Sequence, residues 1–351
     1  MVLNIGSTSV KIGVYCGDVR EYADTIRYAP EDLAKFDTFF DQIGMREQDI
    51  ANRIYAAGYN AEDFDAVVTR GPICKAIDAG TYLVNKALVE DGKTIGGHHP
   101  VVLGPIVAKR IGRGLGIPAY TVDPSTVDQL TDIARISGLA EIPRTTTWQP
   151  LNHRQIGRMW AAEHGTTYEE SNLIIAHMGG GTTVAAHKHG RAIDVNNGTE
   201  GEGPMTPERS GSVQLCQVVE LCFSGKYTKE ELLKKIRHGS GVMDYLGTSD
   251  MREVERRVLE EGDEYAKLIL DALCYQVSKE IASMYAPLEC QCDAILLTGG
   301  LAYSDYVVSK IKHYVGGIAP VCVYPGEDEI GALAQGVLRV MRGQEEVKEY
   351  V

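Results

Sequence analysis

The residue order predicts an α/β fold built twice over, and three observations carry that expectation. Apolar strands alternate with amphipathic helices along most of the chain, which calls for helices on both faces of a sheet. Two stretches, "VLNIGSTSVKIGVYCGDVREYADTIRY" and "IIAHMGGGTTVAAHKHGRAIDV", follow one plan of strand, glycine turn, strand, turn and strand. A slide of 174 residues sets Gly6 on Gly180, Thr8 on Thr182, Ser9 on Thr183 and Val10 on Val184. Finally, 351 residues exceed one ordinary core and suit two domains of roughly 100–200 residues each.

The elements follow in order. After the first three strands, "DAVVTRG" (65–71) and "PAYTVDP" (118–124) have the apolar character of buried parallel strands. The stretches "TYLVNKALVEDG" and "LNHRQIGRMWAAEHG" read as helices. Beyond the second copy come the helices "TKEELLKKIRHG" and "DEYAKLILDALCYQVSKEIASMYAPL", the strand "DAILLTGG", and a final strand and helix through "GIAPVCVYPGEDEIGALAQGVLRVMRG". The expected division is 1–145 for the first lobe and 146–327 for the second. Residues 328–351 return to the first lobe as a C-terminal helix.

Composition excludes several classes of function. A net charge of −13 argues against nucleic acid, whose affinity comes from Lys and Arg neutralising phosphates. Any anionic ligand must be met by a few placed cations. No basic segment precedes an apolar core at the start, and no apolar run approaches the roughly 18 residues of a membrane span, so the expectation is a cytoplasmic protein without a membrane partner. The eight cysteines are scattered and lack paired knuckles, which points to buried reduced thiols rather than zinc or disulfides. Two histidine pairs, His98 with His99 and His187 with His189, have no further ligands at zinc spacing. His187 and His189 are expected on a hairpin surface.

Four glycine-bearing turns follow apolar strands: "NIGSTS" (4–9), "HMGGGTT" (177–183), "TGGLAYS" (298–304) and "YPGEDE" (324–329). A strand that ends in small residues exposes consecutive N–H groups, and phosphate oxygens can satisfy them. The spacing fits neither a Walker A loop nor the dinucleotide fingerprint. Taken singly, each is only a tight turn. Four of them on two copies of one unit suggest anion cradles.

The strings "GGGTTVAAHKHGRAIDVNNGTEGEGPMTPERSG", "LCFSGKYTKEEL", "YLGTSDMREVE", "DAILLTGGLAYS" and "APVCVYPGEDEIGALAQG" resemble the butyrate kinases, a branch of the acetate kinase (acetokinase) family. The resemblance runs end to end. It implies a duplicated actin-like ATPase (ribonuclease H-like) fold, with two lobes and a nucleotide cleft between them. It also implies a phosphotransferase with a carboxyl acceptor, moving phosphate between ATP and a short-chain acid with Mg²⁺, in a homodimer or larger homo-oligomer.

The site residues that the resemblance implies are as follows. Arg70 and Arg209 meet the carboxylate and the transferring phosphoryl, the alternative for each being a surface or salt-bridged arginine. Asp123 holds an arginine or the metal shell in place, or simply forms a turn before Pro124. His99 matches an active-site histidine. Asn4 and Glu329 lie near Mg²⁺, with Glu327 competing for the latter place. His177, Gly179, Gly180, Gly181 and Thr182 surround the ATP phosphates, where the glycines let backbone N–H groups approach. Asp250, Met251, Arg252, Gly299, Gly300 and Tyr303 form the adenosine side.

The chain also departs from the family pattern. Trp148 and Gln149 stand where an aromatic residue and an active-site histidine are usual, Val102 replaces an asparagine, and Pro72 replaces a glycine. These changes surround the expected acyl pocket. The expected reaction is therefore butanoate + ATP = butanoyl phosphate + ADP, with two alternatives left open: a branched or aromatic acid, or a nucleotide-binding protein with little kinase activity. A carboxylate needs no general base, because with a pKa near ~4.3 it is already ionised at neutral pH. Catalysis then rests on positioning and on cations around the phosphoryl oxygens.

Overall fold

The computed structural model describes residues 1–97 and 99–351, leaving His98 outside the described residues. They form two compact units, Met1–Val127 with Asp328–Val351 (unit 1) and Asp128–Glu327 (unit 2). The first boundary falls at 127/128, not at the expected 145/146. Residues 128–145 contain little regular structure, and their polar groups are satisfied within unit 2. Gln129 accepts from the Ala192 N–H, the Thr131 N–H donates to the Ile193 carbonyl, and Arg144 pairs with Asp194 and Glu202.

Unit 1 contains six strands: β1 (Val2–Ile5), β2 (Ser9–Cys16), β3 (Val19–Arg27), β4 (Val67–Arg70), β5 (Thr81–Leu83) and β6 (Ala119–Val122). They form one sheet in the order β3-β2-β1-β4-β6-β5. β1, β4 and β6 are parallel, and the remaining strands pair antiparallel. β5 replaces the start of the helix expected over "TYLVNKALVEDG". Asn85 then caps the helix Lys86–Thr94 by accepting from the Leu88 N–H. Glycines let helices approach both faces. Gly104 and Gly112 of helix Leu103–Leu115 lie against Thr69 and Ala119, while Gly336 of helix Glu329–Met341 lies against Val122. In the register of β4 and β6, Val122 points opposite to the first two.

Unit 2 contains β7 (Asn172–Met178), β8 (Thr182–Lys188), β9 (Arg191–Val195), β10 (Ala294–Gly299) and β11 (Val321–Pro325), in the order β11-β10-β7-β8-β9. Alternate residues of its central strands feed two cores. Ile174, Ala176 and Leu297 pack with helix Glu264–Ser283, whereas Leu173, Ile175 and Leu296 pack with helix Pro150–Glu163. β7, β10 and β11 are parallel, so the turns after Met178, Gly299 and Pro325 leave the same edge of one sheet. Three of the four glycine turns therefore gather in unit 2, at the carboxyl ends of parallel strands where α/β folds bind ligands.

The duplicated unit is real at the level of strands, but the slide of 174 is out of register. Each copy carries a bulge in its second hairpin, between Val14 and Tyr15 in one and between Ala186 and His187 in the other; from Val14 to Ala186 is 172 residues. The first turn is also one residue longer, since Ile5 pairs with Val10 and Met178 with Thr182. Val10, not Thr8, is thus the counterpart of Thr182.

The cysteines also differ from expectation. Cys74 and Cys274 are buried, but Cys16, Cys216, Cys222 and Cys290 are exposed. Cys216 and Cys222 lie on helix Leu215–Phe223, which buries none of its residues. Among the described residues no helix is long and apolar enough to cross a membrane.

Candidate active site

The glycine turn of unit 2 is built around Arg209. A Cβ on Gly181 would lie 2.2 Å from Arg209 Nη1, so the absent side chain is what admits the guanidinium. Gly180 has more room, its nearest neighbour being Glu208 Oε2 at 3.8 Å. The Gly179 N–H donates inside the turn to the Gly181 carbonyl at 2.9 Å. The three glycines therefore do not all offer N–H groups to a phosphate; one donor is already engaged, and one bare face serves an arginine.

Thr206 ties the two chain segments together. Its hydroxyl donates to the Gly180 carbonyl at 2.6 Å and accepts from the N–H groups of Glu208 and Arg209. Gly241, at φ +65°, passes so close to the Thr206 carbonyl that a Cβ would clash. Arg209 Nη1 donates to the Gly198 carbonyl, while its Nε is buried without a partner. The Thr182 hydroxyl is likewise buried and unpartnered. Buried polar atoms are rarely left unpaired. Two of them beside one glycine turn match a polar ligand, and a phosphate supplies the acceptor oxygens that Arg209 and Thr182 lack. Burial lowers the pKa of Arg209 and Glu208 opposes that shift; a guanidinium stays charged nonetheless.

His177 is buried, and its Nδ1 lies 2.8 Å from Asn152 Oδ1, so Nδ1 carries the proton. Its Nε2 faces Glu327 at 3.7 Å. Gly299, at φ +87°, packs on the Met178 backbone and exchanges N–H···O bonds with Gly326. Gly300 has open space around it, and Tyr303, mostly exposed, lies against Gly326. Asp250 caps helix Met251–Leu259 and holds Arg252 through two hydrogen bonds, which lower its pKa; Met251 packs against the core.

Gln149 precedes helix Pro150–Glu163 and accepts from the Thr183 hydroxyl at 2.5 Å. Trp148 is buried and sets its indole edge-on to His153. His187 is fully buried and not on the hairpin surface, because β8 is covered on both faces. Tyr168 and His153 lie within hydrogen-bond distance of its two ring nitrogens. His189 alone is exposed, at φ +49° in the turn.

Burial pushes the His187 pKa down to about 3 and that of His153 well below its ordinary value. Below pH 6.5 the unfolded chain takes up protons that the folded rings refuse. Stability is therefore complete above pH 6.5 and is lost as the pH falls toward 3. At pH 5, His187 alone should remove about 2 kcal/mol. Urea unfolding is expected to show a lower midpoint at pH 5 than at pH 7, and equal midpoints would contradict buried neutral rings.

Unit 1 gathers a second set of residues. Glu329 begins helix Glu329–Met341, and its carboxylate accepts from Asn4 Nδ2 and pairs with Arg70 Nη1 at 2.9 Å. Arg70 is thus ion-paired, at the end of β4, with the residue expected near the metal. Each Glu329 oxygen has one protein partner, Asn4 on one and Arg70 on the other, which leaves further lone pairs on both. No group of three or more His, Cys, Asp or Glu gathers among the described residues. Asp123 is buried at the end of β6 with φ +40°, a strained conformation for aspartate. It is held there by exchange with Gly80, whose N–H donates to Asp123 Oδ1 at 2.7 Å. His99 Nδ1 accepts from the Val101 N–H, so in the neutral ring Nε2 carries the proton; burial and the Arg70 charge lower its pKa. Pro72 and Val102 pack around Gly92.

Sequence reading missed Thr206, Thr183, His153, Asn152 and Asn196. Asn196 spans β8, accepting from the Val184 N–H and donating to the Thr182 carbonyl. Only Thr206 left a signal, the Thr-Pro-Glu-Arg order of a hydroxyl-capped turn.

Comparison with known proteins supplies the lineage. The acetokinase family model matches residues 151–314. Over 351 residues the chain is 46% identical to Butyrate kinase 1 of Clostridium acetobutylicum, covering 100% of this chain and 99% of that protein. Acetate kinase from Porphyromonas gingivalis superposes with a TM-score of 0.82 at 20% identity, covering 97% of this chain and 98% of that one. A propionate kinase from Francisella tularensis gives 0.75 at 18% identity, covering 95% and 97%. The last two bear on fold, which is the duplicated actin-like ATPase fold. With nearly half of its residues shared along its whole length with a butyrate kinase, and with that fold, the chain belongs to the acetokinase family.

Proposed function

We propose that the protein is a short-chain fatty acid kinase of butyrate type, catalysing reversible phosphoryl transfer between ATP and butanoate. The observation that carries this reading is the full-length 46% identity to Butyrate kinase 1. In the forward direction a carboxylate oxygen attacks the γ-phosphorus. The new acyl–phosphate bond forms as the bond to the β-phosphate oxygen breaks, and ADP leaves with that electron pair.

Repulsion between the two anions is the main obstacle, and the arginines are assigned to it. Arg209 meets the transferring phosphoryl through its unpartnered Nε, and Arg70, posed by Glu329, meets the carboxylate. Thr182, Gly180, Gly181 and His177 hold the phosphates. Gly299, Gly300, Tyr303, Asp250, Met251 and Arg252 take the adenosine. Asp123 fixes the backbone beside Arg70, and His99 is a neutral donor. Mg²⁺ enters with the triphosphate and keeps most of its waters. The same proposal places the enzyme in the cytoplasm as a homodimer or larger homo-oligomer. The exposed Leu215, Val219 and Phe223, four apart on one helix, support the assembly.

Gln149 keeps an N–H donor where the family has a histidine, and it cannot become charged. The test is acyl-hydroxamate formation with acetate, propionate, butyrate, isobutyrate and a phenyl-substituted acid, for the unaltered protein and for Gln149→His alone and with Trp148→Phe. Butyrate is expected to be used best, with differences between neighbouring acids of about 1–3 kcal/mol. Gln149→His should add a pH dependence near the histidine range. If no acid yields hydroxamate while ATP binds, the kinase reading fails. If only the substituted acids react, the butyrate assignment fails.

A further inference from the structure

Behind Gln149 runs a row of polar groups that the proposed reaction does not itself use. The Thr183 hydroxyl lies 3.1 Å from His153 Nε2, His153 Nδ1 lies 3.2 Å from His187 Nε2, and His187 Nδ1 lies 2.7 Å from the Tyr168 hydroxyl. Thr183, His153 and His187 are fully buried and Tyr168 is 1% exposed. Such a row is expensive to bury unless every member is satisfied.

The direction of each bond follows from its neighbours. The Thr183 hydroxyl gives its single proton to Gln149 Oε1, so toward His153 Nε2 it can only accept. His153 therefore carries its proton on the nitrogen facing Thr183, and in a neutral ring Nδ1 is bare. His187 must then donate from Nε2, which leaves its own Nδ1 bare to accept from Tyr168 O–H. Arg154 and Arg158 lie over the Tyr168 ring at 5.5 and 5.3 Å, which favours its role as donor and keeps His187 neutral. Trp148 packs edge-on to His153 and excludes water from the row.

We propose that Tyr168, His187, His153 and Thr183 form a one-way hydrogen-bond chain that fixes the Gln149 amide, holding Oε1 inward and presenting Nε2–H as a permanent donor. The inference rests on the reading of Gln149 as a donor to the transferring phosphoryl. An unanchored amide can turn its oxygen to that anion and repel it. The chain removes this alternative without adding a titrating charge. Thr183, His153, His187 and Tyr168 are positioning residues, since all act through Gln149.

Two measurements test it. In protein labelled with ¹⁵N at its histidines, NMR should show His153 and His187 as neutral Nε2–H tautomers from pH 5 to pH 8 (about the range in which a free ring titrates). A proton on Nδ1 of either ring, or titration of either, overturns the chain. In kinetics, Thr183→Val should lower kcat by about tenfold with little change in KM for ATP, and Thr183→Ser should restore most of it. In a Gln149→Ala background, Thr183→Val should add almost nothing. Multiplying losses would mean that Thr183 acts elsewhere, which also overturns the proposal. If Gln149→Ala keeps full kcat, the role of Gln149 in transfer fails, while the tautomers still decide the chain.

Discussion

Arg209→Ala is expected to lower kcat by about 10²–10³ while ATP affinity changes far less. The guanidinium is held before any ligand arrives, by the Gly198 carbonyl, by the Thr206-anchored backbone and by the space above Gly181. One of its donors, Nε, has no acceptor. A phosphoryl oxygen that meets this donor gains a charge-assisted bond, and no protein partner has to be broken to make it. The effect should concentrate in the transition state, where charge spreads over the transferring oxygens. Arg209→Lys should recover only part of the loss, because a lysine lacks the planar fork. Single-turnover rates and equilibrium ATP binding separate the two quantities. Equal losses in both would remove Arg209 from the chemistry and leave it a binding residue.

The strands and long helices were legible because burial imposes a period on them. The apolar runs 173–176 and 294–297 are buried on both faces and were recognisable as strands. Residues 128–145 carried no comparable signal. Their place in unit 2 depends on single side chains, Gln129 and Arg144, finding partners dozens of residues away. The register of the duplication failed for a related reason. Matching small residues across two turns of unequal length aligns the glycines and misaligns the strands, whereas the shared bulge becomes visible only once the pairing is known.

In the site, residue types that announce chemistry by themselves stood out in the sequence, and those that act through a partner did not. Arginine in a glycine-flanked turn was identifiable, but the ion pair of Arg70 with Glu329, 259 residues away, was not. His187 looked like hairpin surface because a polar residue at the end of a strand usually is. It is buried because Tyr168 and His153 satisfy both nitrogens, and neither lies near it in sequence. Thr183 was matched only as a small residue of the repeat, yet its hydroxyl joins Gln149 to that buried row.

Gly181→Ala should reproduce most of the Arg209→Ala defect, a loss in kcat of about 10². The new methyl would lie 2.2 Å from Nη1 and 2.8 Å from Cζ of Arg209, so the two cannot coexist in place. The yielding partner is the far end of a flexible side chain, and Gly181 is not among the residues with left-handed backbone, so alanine adds no backbone strain. The fold should survive while the guanidinium moves. Gly180→Ala is the contrast, because its Cβ first meets Glu208 Oε2 at 3.8 Å. Any cost there should fall on nucleotide affinity, through the phosphate proposed to lie over that face, and not on kcat. The decisive comparison is the double variant. If Gly181 matters only by admitting Arg209, then Gly181→Ala in an Arg209→Ala background should change kcat by less than about twofold, since the displaced group is already gone. A Gly181→Ala protein that keeps the unaltered kcat, or a double variant whose losses multiply, would show that the glycine run exists for the phosphate and not for the arginine.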